Sequence, residues 1–149
     1  MATVPHVSRV SKDYTPTGFS TNASTYLGVG NLSSDEGRSL DYVHEGDAVL
    51  VSAVIASAYN SGGTDNGTNN WKVEIGYGPD GGTFNSFPTP VFWTSNGQPG
   101  GVSGKREITI TGVPIIPEGN FIRANFDKSG TPAGGNLNAD VAVQWQRKA

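Results

Sequence analysis

Apolar and polar residues alternate with a period of two at four places along the chain: Trp71, Val73, Ile75 and Tyr77; Ile108 and Ile110; Ile122, Ala124 and Phe126; and Val141, Val143 and Trp145. Side chains on a β-strand point alternately to opposite faces, so this period predicts strands with one face in a core. Less regular candidates are Thr25 to Val29, Ser39 to Val43, Ala48 to Tyr59 with both faces apolar, and Pro90 to Thr94. Between them lie HEGD at 44–47, PDGG at 79–82, SNG at 95–97 and PEGN at 117–120, each with a glycine where a tight turn needs positive φ. No stretch repeats apolar residues at i, i+3, i+4 and i+7 behind a cap, so no helix is expected. The pattern predicts an all-β protein of eight or nine strands, an antiparallel two-sheet β-sandwich or jelly roll.

The first 24 residues differ. They show no alternation and contain Pro5 and Pro16, which obstruct pairing inside a sheet, so residues 1–24 are expected to form an extended N-terminal arm and 25–149 the β-sandwich domain. A secretory signal needs an unbroken apolar block of roughly 7–15 residues, whereas Val4, Val7 and Val10 stand isolated among polar neighbours. The longest apolar run, Ala48 to Ala58, is about half a membrane span and is broken by serines. Neither a leader nor a membrane partner is therefore expected.

Composition narrows the function. The 149 residues suit one domain with one core. With no cysteine, disulfides, thiolate metal sites and cysteine nucleophiles are excluded. A net charge of −3 from only 15% charged residues leaves no basic stripe to displace counterions from a phosphate backbone, so a nucleic-acid partner is not expected.

The candidate chemistry is thin. QPGGVSGKR has Pro99 where a phosphate loop needs its first glycine and Arg106 where it needs Ser or Thr, and it leads into a strand. TDNGTNN at 64–70 offers a calcium ion one carboxylate, Asp65. His6 and His44 are far apart, and the carboxylates beside His44, Glu45 and Asp47, share its tight turn and point elsewhere. The expectation is a protein that is not an enzyme, with no catalytic residue, no metal site and no cofactor.

Binding features remain. Asn60 to Asn70, Gln98 to Lys105 and Lys128 to Asn138 form long, nearly uncharged loops of the kind that make contact surfaces. Trp71 and Trp145 fall in phase with aliphatic residues and read as core. Phe84, Phe87, Phe92 and Trp93 stay ambiguous between core, subunit-interface anchors and a platform on which sugar rings stack.

An N-terminal arm, a cysteine-free Gly/Asn/Ser/Thr-rich body, the segment ITGVPIIPEGNFIRANF and the closing strand DVAVQWQRKA together give a chain that resembles the small virion proteins of tailed bacteriophages. Among these it resembles most the capsid decoration, or cement, proteins. That resemblance implies a body, commonly trimeric rather than dimeric, on the virion exterior, bridging neighbouring major capsid proteins, with synthesis in the host cytoplasm. It implies an arm lying across the capsid, with Val4, Val7, Val10, Tyr14 and Phe19 as apolar pegs and Arg9 and Lys12 against acidic capsid groups. The alternatives are a phage fibre, tail or head-surface protein that binds a host glycan, and a bacterial carbohydrate-binding module.

Overall fold

A computed structural model describes residues 11–12, 22–32, 35–43, 46–58, 64–97, 104–132 and 137–147. Among them are ten strands and no helix: β1 (Ser11–Lys12), β2 (Asn22–Leu32), β3 (Glu36–Tyr42), β4 (Ala48–Ala58), β5 (Asn70–Gly78), β6 (Asn85–Thr94), β7 (Gly104–Ile108), β8 (Ile115–Ile116), β9 (Phe121–Ser129) and β10 (Leu137–Arg147). One sheet has the order β1-β2-β10-β4-β7, with β8 also on β4; the other has the order β3-β9-β5-β6. Every pairing is antiparallel. The all-β, two-sheet expectation therefore holds.

The alternation read from the sequence is the alternation that builds the core. Trp71, Val73 and Ile75 of β5, Ile122, Ala124 and Phe126 of β9, and Val141, Val143 and Trp145 of β10 are all buried in one cluster shared by both sheets. Removing this much apolar surface from water is the main force holding the sheets face to face. A polar bond crosses the gap: Trp145 Nε1 donates to Oδ2 of the buried Asp41 at 3.1 Å.

Two departures have local causes. β4 reads as apolar on both faces because it changes phase part-way. Ala48 and Leu50 point inward, then Ala53 and Ile55 do, and the pairing with β10 slips between Gln144 and Trp145. Val51 is the extra residue of this bulge and is left 48% exposed. In β6, Ile75 faces Val91 while the next residue, Gly76, faces Ser86, so Phe87 to Pro90 bow away from the partner strand. Pro88 and Pro90 lie in that bow at the sheet edge, where a missing donor costs little. The expected strand began at Pro90; the observed one begins at Asn85, because prolines hide a strand from pattern reading.

Turn chemistry behaves as expected, with Gly81 at φ 67° and Gly119 at φ 87° in their turns. β2 starts at Asn22 rather than Thr25, pairing with Gln146 through backbone bonds that leave no apolar signature.

Candidate partner-binding surface

Two regions are candidate contact surfaces: the margin of the first sheet, where β1 pairs with β2, and the outer face of the β3-β9-β5-β6 sheet. At the margin, Ser11 pairs with Thr25 and Lys12 with Ser24. Beyond that two-residue bridge β2 continues from Tyr26 to Leu32, and no described strand lies on its far side from β10. Of the proposed arm contacts, Val4, Val7, Arg9, Val10, Tyr14 and Phe19 lie outside the described residues, as do His6 and His44; the backbone of Lys12 is in the bridge.

The four ambiguous aromatics separate cleanly. Phe87 is 2% exposed and Trp93 9% exposed, and both belong to the core cluster; Phe87 packs on Tyr77 at 5.7 Å between ring centres. A surface role for these two is therefore corrected to a structural one. The physical reason is phase, since Trp93 pairs with the inward-facing Val73 and Phe87 drops into the core from the bow before Val91. Phe92, opposite Glu74, points outward and is 45% exposed, with Lys72 Nζ 5.0 Å from its ring centre. Phe84 is half-buried, its ring lying against Gly76, where an added Cβ would meet ring carbons at 2.5 and 2.9 Å. Glycine at 76 leaves room for that ring and for the Asn85 carbonyl oxygen beside it.

Phe84 ends a flap, Pro79 to Phe84, that folds over the outer face of this sheet. Arg123 holds it. Its Nη1 donates to the Gly82 carbonyl at 2.5 Å, its other terminal nitrogen stands over Gly37, and Ser39 Oγ donates to Asp80 Oδ1 at 2.6 Å beside it. Arg123 is buried although it sits on an outward face. Next to it Glu74, 6% exposed, pairs through Oε1 with Lys72 at 3.1 Å. Burial raises the Asp127 carboxyl above the usual 3.8; Asp35 and Glu74 push the same way, and Lys72 and the Asn125 amide pull it down. Pattern reading missed this row, because polar outward residues look alike whether solvated or covered.

The TDNGTNN loop is tied to its own chain. Asp65 is buried, and its Oδ2 accepts from Ser95 Oγ at 2.6 Å; that hydroxyl accepts in turn from Trp71 N at 2.8 Å. Asn66 Oδ1 accepts from Thr68 N and Asn69 N, both at 2.9 Å, and Asn69 Oδ1 from Thr131 N at 2.8 Å. The one carboxylate a cation could have used is thus engaged in a structural pin. Among the described residues no group of three or more His, Asp or Glu side chains is placed to hold a metal ion.

No protein-family model matches the chain, and no curated protein matches it. Among solved structures it is similar to a chain of the cyanophage Pam1 capsid asymmetric unit, at 16% identity and a TM-score of 0.45 over 94% of each chain. It is also similar to a chain of infectious bursal disease virus strain Gx, at 13% identity and a TM-score of 0.41, covering 85% of this chain and 32% of that one. Both scores lie below 0.5, so the functional reading rests on the chain's own features.

Proposed function

We propose that this chain is a structural virion protein without catalytic activity: a decoration or cement protein on the outer surface of a phage head. Its partner is the major capsid protein, whose copies it bridges, and it acts as a homo-oligomer, a trimer rather than a dimer. The observation that carries this reading is the join between arm and body. Among the described residues, the chain ahead of Asn22 meets the sandwich at a single two-residue bridge on a sheet margin. A two-sheet body whose preceding chain meets it at a sheet margin suits a cement protein.

The ten residues ahead of Ser11 span up to about 35 Å when extended, enough to reach from one protein subunit to its neighbour. Fixing them costs about 1–2 kcal/mol per residue, which apolar pegs at Val4, Val7 and Val10 and main-chain bonds to the partner must exceed. Many copies on one shell offset a modest affinity per copy, because binding of linked subunits is intramolecular after the first contact. Tyr14 and Phe19 extend the row of pegs, and Arg9 and Lys12 meet acidic groups.

The test uses heads stripped of this protein. Added back, the full chain should co-sediment with them and restore resistance to heat and osmotic shock, and replacing Val4, Val7, Val10, Tyr14 and Phe19 by serine should abolish both. Full binding by the serine variant sinks the proposal. Glycan recognition on a phage surface is the second reading, and exposed Phe92 supports it. It requires a sugar-dependent tryptophan fluorescence change that Phe92→Ala removes.

A further inference from the structure

Two opposite charges lie buried on the outer face of the second sheet, and each is incompletely matched. Arg123 gives Nη1 to the Gly82 carbonyl, a neutral acceptor, while its Nε is buried without a hydrogen-bond partner. Among the ion pairs of the described residues Arg123 takes part in none. Glu74 meets Lys72 through Oε1 at 3.1 Å, and its Oε2 is likewise buried and unpaired. The amide directly opposite, Asn125, turns to the two carboxylate oxygens of Asp127 instead, at 3.1 and 3.2 Å. A buried polar atom left without a partner is costly, and more so on a charged group.

The two unmatched groups are neighbours. In the pairing of β5 with β9, Glu74 faces Asn125 and Gly76 faces Arg123, so Glu74 and Arg123 hold diagonal positions on one face. Diagonal positions across an antiparallel pair are about 7–8 Å apart, within the combined reach of an arginine and a glutamate. The flap draws the guanidinium the other way, through the Gly82 carbonyl, with the Phe84 ring over Gly76 beside it.

We propose that Arg123 is a two-position latch. In its closed position it holds residues 79–84 on the sheet; in its open position it swings to Glu74 and lets the flap go. Opening replaces a bond to a neutral carbonyl with a charge-assisted pair to a carboxylate, the stronger kind, and matches both unpaired atoms. Against it stand the packing of Phe84 on the sheet and the 2.6 Å bond from Ser39 to Asp80, which make the closed position the resting one. Lys72 sets the balance, because it competes with Arg123 for the same carboxylate. Opening uncovers Phe84 on the face that already exposes Phe92, so the latch governs how much aromatic surface this face offers a partner. It holds whether or not the chain binds a capsid.

Chymotryptic cleavage after Phe84 in the full, folded chain reads the open fraction, provided that reclosing is fast relative to cleavage. Lys72→Met leaves Arg123 as the remaining cation for Glu74, and cleavage should run at least ~5-fold faster than in the native chain. Glu74→Gln removes the charge that attracts Arg123, and cleavage should be at least ~2-fold slower than native. Lys72→Met/Glu74→Gln should match Glu74→Gln, because the acceleration acts through the Glu74 carboxylate. Hydrogen exchange of the buried β9 amides, measured alongside, reports opening of the whole sandwich.

No acceleration in Lys72→Met, or the same acceleration in the double variant, overturns the proposal. So does acceleration that only keeps step with exchange of the β9 amides, which is loosening of the whole fold. Should Lys72→Met fail to fold, Glu74→Gln decides alone: slower cleavage supports the latch, and unchanged or faster cleavage overturns it, since the carboxylate would then be idle or would favour the closed flap.

Discussion

Replacing Ser95 by alanine tests how the loops of this sandwich are held. The Ser95 hydroxyl is fully buried and serves two partners at once, donating to Asp65 Oδ2 at 2.6 Å and accepting from Trp71 N at 2.8 Å. Alanine leaves a buried amide hydrogen and a buried carboxylate oxygen without this partner. Each such loss costs about 1–3 kcal/mol, and Asp65 keeps other interactions, so the expected cost is about 2–4 kcal/mol. The remaining backbone bonds, Ser95 N to Trp71 O and Gly97 N to Asp65 O, survive and keep the turn in place. In urea, with a denaturant slope of about 2 kcal/mol/M, the midpoint followed by tryptophan fluorescence should fall by about 1–2 M. Thr94→Ala is the control: it removes longer, half-exposed bonds to Asn70 Oδ1 at 3.3 Å and from Asn96 N at 3.2 Å, and should cost under about 1 kcal/mol. Adding Asp65→Ala to Ser95→Ala should cost less than the sum of the two, because the residues share one network. A Ser95→Ala midpoint no lower than that of Thr94→Ala refutes the reasoning, and places the hold on this loop outside its own chain.

Three further outcomes follow from the same geometry. Trp93→Ala should cost about 3–5 kcal/mol in urea unfolding, whereas Phe92→Ala, one residue away on the outward face, should cost under about 1 kcal/mol; equal costs contradict the assigned phase. Asp127→Asn should raise stability at neutral pH. The folded carboxyl holds its proton more tightly than the unfolded one, so its contribution is complete below the usual value of 3.8 and is lost as pH rises through the folded value; the gain from asparagine should fade in melts run toward that acid limit. Arg123→Ala should release the Pro79–Phe84 flap, seen as faster amide exchange and proteolytic cleavage there, while Arg123→Lys should restore the hold only in part, since one ammonium cannot both reach Gly82 O and cover Gly37.

What could be read from the sequence depended on how much of each strand's pattern was apolar. β5, β9 and β10 were legible because one face is core and the other polar, and Trp71 and Trp145 fall where that phase puts them. β4 was legible as a strand but not in its phase, since the bulge at Val51 makes both faces apolar in turn. β2 and the start of β6 were hidden, one by small polar residues and the other by prolines. The surface was harder still. Phe84, Phe87, Phe92 and Trp93 lie within ten residues and share one chemistry, yet two face the core and two the outer sheet surface, because the bow at 87–90 resets the phase between them. Nothing in the residue types marks Arg123 as the anchor of a flap from a loop forty residues away in sequence. Such a contact is a product of topology, and strand order is not written in the pattern of any one strand.

The central claim is that a sandwich that performs no catalysis grips a capsid through the chain that precedes it. The measurement that addresses it most directly is cryo-electron microscopy of stripped phage heads with this protein bound, resolved well enough to trace residues 1–24. The account requires that segment to run over the major capsid protein, with Val4, Val7 and Val10 against apolar capsid side chains and Arg9 or Lys12 near acidic ones. A sandwich seated on the shell by its loops alone, with the first 24 residues touching only their own chain, would contradict it.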